Sequence, residues 1–138
     1  MKEGMILIDS LNFPSQLSSL PLVESMIEQS CHKAGFDDEQ YGNVLIAVTE
    51  AINNAVIHGN KQDQSKTVSY QFCKSLNGYC FIIKDEGHGF DYNNLPDPTH
   101  PDNIEKEYGR GVYLMRHLAD DVLYNDKGNE VEIYFQGI

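Results

Sequence analysis

The chain has 138 residues, 41% of them hydrophobic, a length and composition that suit one domain with a real core and exclude a disordered chain. Lys and Arg number 10 against 21 Asp and Glu, so the surface is anionic and would repel a nucleic-acid backbone or an anionic membrane. Three cysteines, Cys31, Cys73 and Cys80, with no CxxC pair argue against a disulfide framework and a structural zinc site, and fit a reducing cytoplasm.

Met1 to Gly4 leads into a short strand-like run, Met5 to Ile8, rather than into a signal peptide, and no apolar run approaches a membrane span. Pro14 and Ser15 open a helical stretch ending near Gly35, with Leu20, Val23, Met26, Ile27 and Cys31 as its buried stripe. The longest helix is expected from about Asp38, capped by Asp37 or Asp38, to His58, with Gly59-Asn60 as its stop signal. Tyr41, Val44, Leu45, Val48, Ile52 and Val56 fall on one side of it. Ala47, Glu50, Asn54 and His58 fall on another.

Thr67 to Lys74 and Tyr79 to Lys84 form a β-hairpin about the turn Ser75-Leu76-Asn77-Gly78. The polar stretch Asp91 to Tyr108 is too long for an idle turn and is expected to be a functional connection. Gly109-Arg110-Gly111 then starts a helix through Val112, Leu114, Met115 and Leu118. A second hairpin, Val122 to Tyr124 and Val131 to Phe135, turns at Asp126-Lys127-Gly128-Asn129. This order predicts an α+β class: two layers, a mixed, mostly antiparallel sheet with helices on one face, and a single domain over 1–138.

Three segments carry chemistry. Glu50 and Asn54 stand four apart on a helix, about 6 Å along its axis, and suit one shared ligand. Asn54 offers a neutral oxygen to a hard cation, while Glu50 can orient a water or take a proton from an attacking hydroxyl. Asp85-Glu86-Gly87-His88-Gly89-Phe90 places a carboxylate at a strand end, followed by two glycines that admit a ligand close to the backbone. A carboxylate there accepts from an exocyclic amine such as that of adenine and rejects a base that presents a carbonyl. Tyr92 stands where a dinucleotide fingerprint needs its third glycine, and no Walker lysine motif is present. Gly109-Arg110-Gly111 is left as the phosphate element, through free N–H groups at a helix start and the Arg110 charge. His32, His100 and His117 form no metal-ligand pattern.

Glu50-Ala51-Ile52-Asn53-Asn54-Ala55-Val56-Ile57-His58-Gly59-Asn60, Asp85-Glu86-Gly87-His88-Gly89-Phe90 and Gly109-Arg110-Gly111-Val112-Tyr113-Leu114-Met115 resemble, in order, the N, first glycine and second glycine boxes of the gyrase, histidine kinase and MutL ATPase superfamily. Within it the chain looks most like the bacterial anti-sigma factors that are serine/threonine protein kinases. The resemblance implies a Bergerat-type sandwich with a left-handed crossover, binding ATP and Mg²⁺ beneath a lid at 91–108. It implies that Asp85 binds the adenine amine, Asn54 coordinates Mg²⁺ and Glu50 is the catalytic base toward a serine hydroxyl. Gly87, Gly89, Gly109 and Gly111 would shape the pocket and lid hinge, with Arg110 a phosphate contact and His58 in a packing or helix-ending role.

The resemblance further implies a STAS-type anti-anti-sigma protein as substrate, a sigma factor as alternate partner and a homodimer. Two rivals stand beside the kinase. One is a non-catalytic ATP-binding switch, against which Glu50 weighs; the other is the ATP-binding half of a histidine kinase, against which the lack of a helical hairpin before Met5 weighs.

Overall fold

The computed structural model describes residues 2–88 and 107–136, the first four residues of the second stretch by their helical backbone alone. The strands are β1 (Ile6–Pro14), β2 (Thr67–Lys74), β3 (Gly78–Lys84), β4 (Asp121–Tyr124) and β5 (Glu130–Gln136). The helices are α1 (Leu20–Ala34), α2 (Asp38–Asn53) and α3 (Glu107–Leu118). The sheet runs β1-β2-β3-β5-β4, and every pairing among the described residues is antiparallel, so the expected mixed sheet reduces to its antiparallel part.

The two-layer α+β plan holds. Alternation along the strands sends Val68, Tyr70, Phe72, Phe81, Ile83, Val131, Ile133 and Phe135 to one face, where they meet Val23, Ile27 and Cys31 of α1 and Val44, Val48 and Ile52 of α2. In-register neighbours Phe72 and Phe81 pack their rings at a tilt with centroids 4.9 Å apart, and Phe81 meets Phe135 edge-on at 6.0 Å. The opposite face carries a smaller buried cluster of Cys73, Cys80, Ile82 and Tyr134, against which Met5 packs. Lys2 closes it, its ammonium over the Tyr134 ring at 4.2 Å and 2.8 Å from Asp121. The three thiols are free and buried, and burial pushes both Cys31 and Cys80 up to about 12.

Each helix begins and ends for a local reason. α1 has its proline in the first turn, where a missing N–H costs nothing, and stops at Gly35 with φ 74°. α2 starts with a capping box: Asp37 accepts from Gln40 N–H at 2.8 Å and Gln40 Oε1 accepts from Asp37 N–H at 3.0 Å. At its far end α2 widens into a π-helical turn, Asn54–Gly59, with Asn60 N–H donating five residues back to the Ala55 carbonyl at 2.8 Å. Lys61 and Gln62, with φ 53° and 57°, turn the chain away. The helical run ends where the Gly59-Asn60 stop is expected, at Gly59 with Asn60 as its cap, and Gly59 serves a further need described below.

β1 runs six residues past the Ile8 expected as its end, and bulges between Leu7 and Asp9. α3 starts at Glu107, two residues before the start expected at Gly109, so Gly109-Arg110-Gly111 lies within its first turns and Tyr108 belongs to the helix rather than to the expected lid. Residues 91–106 of that lid lie outside the described residues. No helix among the described residues is long and apolar enough to cross a membrane.

Candidate functional site

α2 and its π turn carry one wall of the site. Glu50, Asn53, Asn54, Ile57 and His58 line a cavity of about 300 Å³ together with Gly111 and Leu114 of α3. α3 approaches α2 so closely that a Cβ on Gly111 would lie 2.9 Å from Glu50 Oε2 and 3.2 Å from Asn54 Nδ2. The glycine thus leaves the carboxylate and the amide uncovered at the cavity wall, which a larger residue would not. Asn54 Nδ2 is buried and has no hydrogen-bond partner among the described residues, an uncommon and costly state for a native amide. His58 is exposed at the cavity lining rather than packed.

Asn54 also lines a second, narrow cavity of about 20 Å³ with Ala51, Ala55, Ile83, Asp85, Tyr124, Gly128 and Asn129. The small side chains of Ala51 and Ala55 leave this space between α2 and the sheet. Asp85 sits at its wall, only 8% exposed, where β3 ends. Burial raises its carboxyl above the ordinary aspartate value; the Gly87 N–H at 2.7 Å from Oδ1, and the more distant Lys127 and Lys66, act the other way.

The carboxyl fits because two glycines make room. A Cβ on Gly59 would overlap the Asp85 carboxyl group, and one on Gly87 would overlap the Gly59 carbonyl oxygen. Gly59, the last residue of the π turn, is therefore also a residue of close approach. Asn60, fully buried, continues the link: its amide donates to Ser15 Oγ at 2.5 Å and the Thr67 carbonyl at 2.9 Å, and accepts from Glu86 N–H at 2.8 Å.

Of the residues singled out in the sequence, Glu50, Asn54 and Gly111 share the larger cavity, while Asp85 lines the smaller one beside Gly87. Gly89 lies outside the described residues. Gly109 and Arg110 are placed by backbone in α3, without side-chain detail for Arg110. Gly59, Asn60, Tyr124 and Asn129 were missed as site residues. The Gly-Asn pair was legible as turn chemistry and Tyr124 as a strand aromatic, but nothing local says that either turns toward Asp85. Among the described residues no three His, Cys, Asp or Glu side chains cluster as a metal site.

The donor set suits an adenine nucleotide with a hard cation: a buried carboxylate for an amine, the Asn54 amide, whose oxygen can serve the cation and whose NH₂ can donate to a phosphate oxygen, and glycines that keep both walls open. A profile of the histidine kinase-like ATPase domain matches residues 13–135, and the chain belongs to that family. Within it the chain is similar to the serine-protein kinase RsbW of Bacillus subtilis (strain 168), 29% identical over 118 residues that cover 81% of this chain and 74% of that one. The same holds for the RsbW serine-protein kinases of Bacillus cereus (strain AH820) and Bacillus anthracis, each 27% identical over 128 residues, 88% of this chain and 79% of theirs. These similarities bear out the family read from the three boxes.

Proposed function

We propose that residues 1–138 form one ATP-dependent serine/threonine protein kinase domain and anti-sigma regulatory factor, which phosphorylates a serine on a STAS-type anti-anti-sigma protein in the cytoplasm and alternately holds a sigma factor. The observation that supports this reading best is the position of Asn54, a wall common to the cavity that holds Asp85 and the cavity that holds Glu50. One helix thereby sets the distance between a base-reading carboxylate and a carboxylate able to take a proton. Similarity to serine-protein kinases supports the acceptor class.

In this reading Asp85 accepts from the adenine amine, Asn54 turns its amide oxygen to Mg²⁺, and Gly87 with Gly111 keeps the walls low. Gly89 and Gly109 act at the lid's two ends and Arg110 contacts phosphate. ATP with Mg²⁺ supplies the terminal phosphoryl group and disperses its charge. Glu50 takes the proton of the serine hydroxyl as the serine oxygen bonds to phosphorus and the diphosphate leaves. Its nearness to the acceptor provides alignment, the main requirement of this chemistry.

Transfer of labelled phosphate from ATP to a purified STAS protein tests the reading. Asp85→Asn should weaken nucleotide binding, and Glu50→Ala should leave binding in place while abolishing transfer. Binding without transfer by the wild-type chain would instead identify the non-catalytic switch.

A further inference from the structure

Asp85-Glu86-Gly87 leaves β3 with no strand partner for its backbone, yet its polar groups are engaged from two sides. Asp85 N–H donates to the Asn129 carbonyl at 2.9 Å, Glu86 N–H to Asn60 Oδ1 at 2.8 Å and Gly87 N–H to Asp85 Oδ1 at 2.7 Å. The Asp85 and Gly87 carbonyls both face Asn129 Nδ2, at 3.5 and 3.4 Å. The Gly87 N–H holds Oδ1 and thereby fixes the rotation of the Asp85 carboxyl and the direction of Oδ2.

The Asn129 amide is itself oriented by the hairpin turn. Its Oδ1 accepts from Asn125 Nδ2 at 2.7 Å, while Asn125 Oδ1 gathers the N–H groups of Gly128, Asn129 and Glu130 at 2.8, 3.0 and 3.2 Å. Flipping the Asn129 amide would oppose its oxygen to two carbonyl oxygens and its NH₂ to another NH₂, so the network admits one orientation. Asn129 also lines the narrow cavity beside Asp85.

We propose that Asn129, held by Asn125, is a positioning residue for Asp85 that sets selectivity for an amino purine over an oxo purine. This rests on the reading of Asp85 as the adenine contact. The turn between β4 and β5 fixes where the strand-end loop lies, and the loop fixes where Oδ2 meets the base edge. A carboxyl displaced by a fraction of an ångström loses its advantage with an amine, but has none to lose with a carbonyl.

Calorimetric titration of ADP and of inosine diphosphate, each with MgCl₂, into the full chain provides the test. Asn129→Asp puts an oxygen against the Asp85 and Gly87 carbonyls at nearly constant shape. It should weaken ADP about tenfold, the scale of one buried polar group left unsatisfied, and leave the inosine nucleotide nearly unchanged. The acid limb of ADP binding should also move to higher pH, because a new carboxylate joins Glu130 on the cavity wall while Lys127 and Lys66 stay in place. Should that variant fail to fold, Asn129→Ala decides, with a smaller loss in the same direction.

Val23→Ala, in the core under α1, lowers stability without touching the loop and should keep the wild-type ADP preference. An unchanged preference in the Asn129 variants, or an equal loss in Val23→Ala, overturns the positioning role and leaves the nucleotide reading intact. No ADP binding by the wild-type chain overturns both.

Discussion

Asp85 carries two opposed demands. Folding favours its protonated form, because burial raises the carboxyl above the ordinary value of 3.8. Its contribution to stability is therefore fully present below the unfolded value and is lost as pH rises through the folded one. Nucleotide binding favours the ionised form, which accepts from the amine. Affinity for ADP should thus fall as pH is lowered through the folded value, and Asp85→Asn should flatten that limb while keeping an oxygen for the Gly87 N–H. A pH-independent affinity in the wild-type chain would contradict the assignment. Gly111 separates stability from function in a different way. Within a helix, Gly111→Ala gains about 1 kcal/mol of propensity. Its Cβ would crowd Glu50 and Asn54 at 2.9 and 3.2 Å. A melting temperature at or above wild type, with nucleotide affinity reduced about tenfold or more, is expected from thermal denaturation and calorimetry.

At the scale of elements, α2 supports everything else, and its start is defined by Asp37 and Gln40. Asp37→Ala should cost about 1 kcal/mol, read as a lower urea midpoint at unchanged slope. A shift no larger than that of a surface control would mean the box is redundant. Much of this architecture was legible: both hairpins, the helix bearing Glu50 and Asn54, and Gly35 as a stop follow from period and turn chemistry. β1 was read short because it is an edge strand. Ile6, Leu7 and Ile8 are exposed, and the inward turns of Leu11 and Phe13 between Ser10, Asn12 and Pro14 resume only beyond the bulge at Leu7 to Asp9, so no single alternation runs its length. The π turn left no local signal, since its cause is tertiary: Asn60 reaches Ser15, Thr67 and Glu86, far apart in sequence. For the same reason Glu50, Asn54 and Asp85 were found from their motifs, whereas Asn129 was not. Its role exists only once β5 lies beside β3.

For the whole molecule, a formal net charge of −11 on 138 residues opposes compaction. Added monovalent salt should therefore raise the melting temperature over the range where the screening length falls to about 10 Å, and a decrease would show that specific ion pairs outweigh self-repulsion. Two such pairs among the described residues are Lys33 to Asp9 at 2.6 Å and Lys2 to Asp121 at 2.8 Å. Lys33 is half exposed, but Asp9 is nearly buried and also accepts from Ser30, which in turn accepts from Tyr70 at 2.8 Å. That relay ties α1 to the two outer strands on the side of the sheet away from β4.

The sealed sulfur atoms make the protein its own stopwatch. A thiol pushed up to about 12 is scarcely nucleophilic while enclosed, so alkylation of Cys31 or Cys80 must wait for the chain around it to part. Cys31 answers for the layer between α1 and the sheet, and Cys80, with Cys73 beside it, for the cover formed by Lys2 and Met5. Modification rates at these positions therefore date separate breathing events on opposite sides of one sheet, without any label having been introduced.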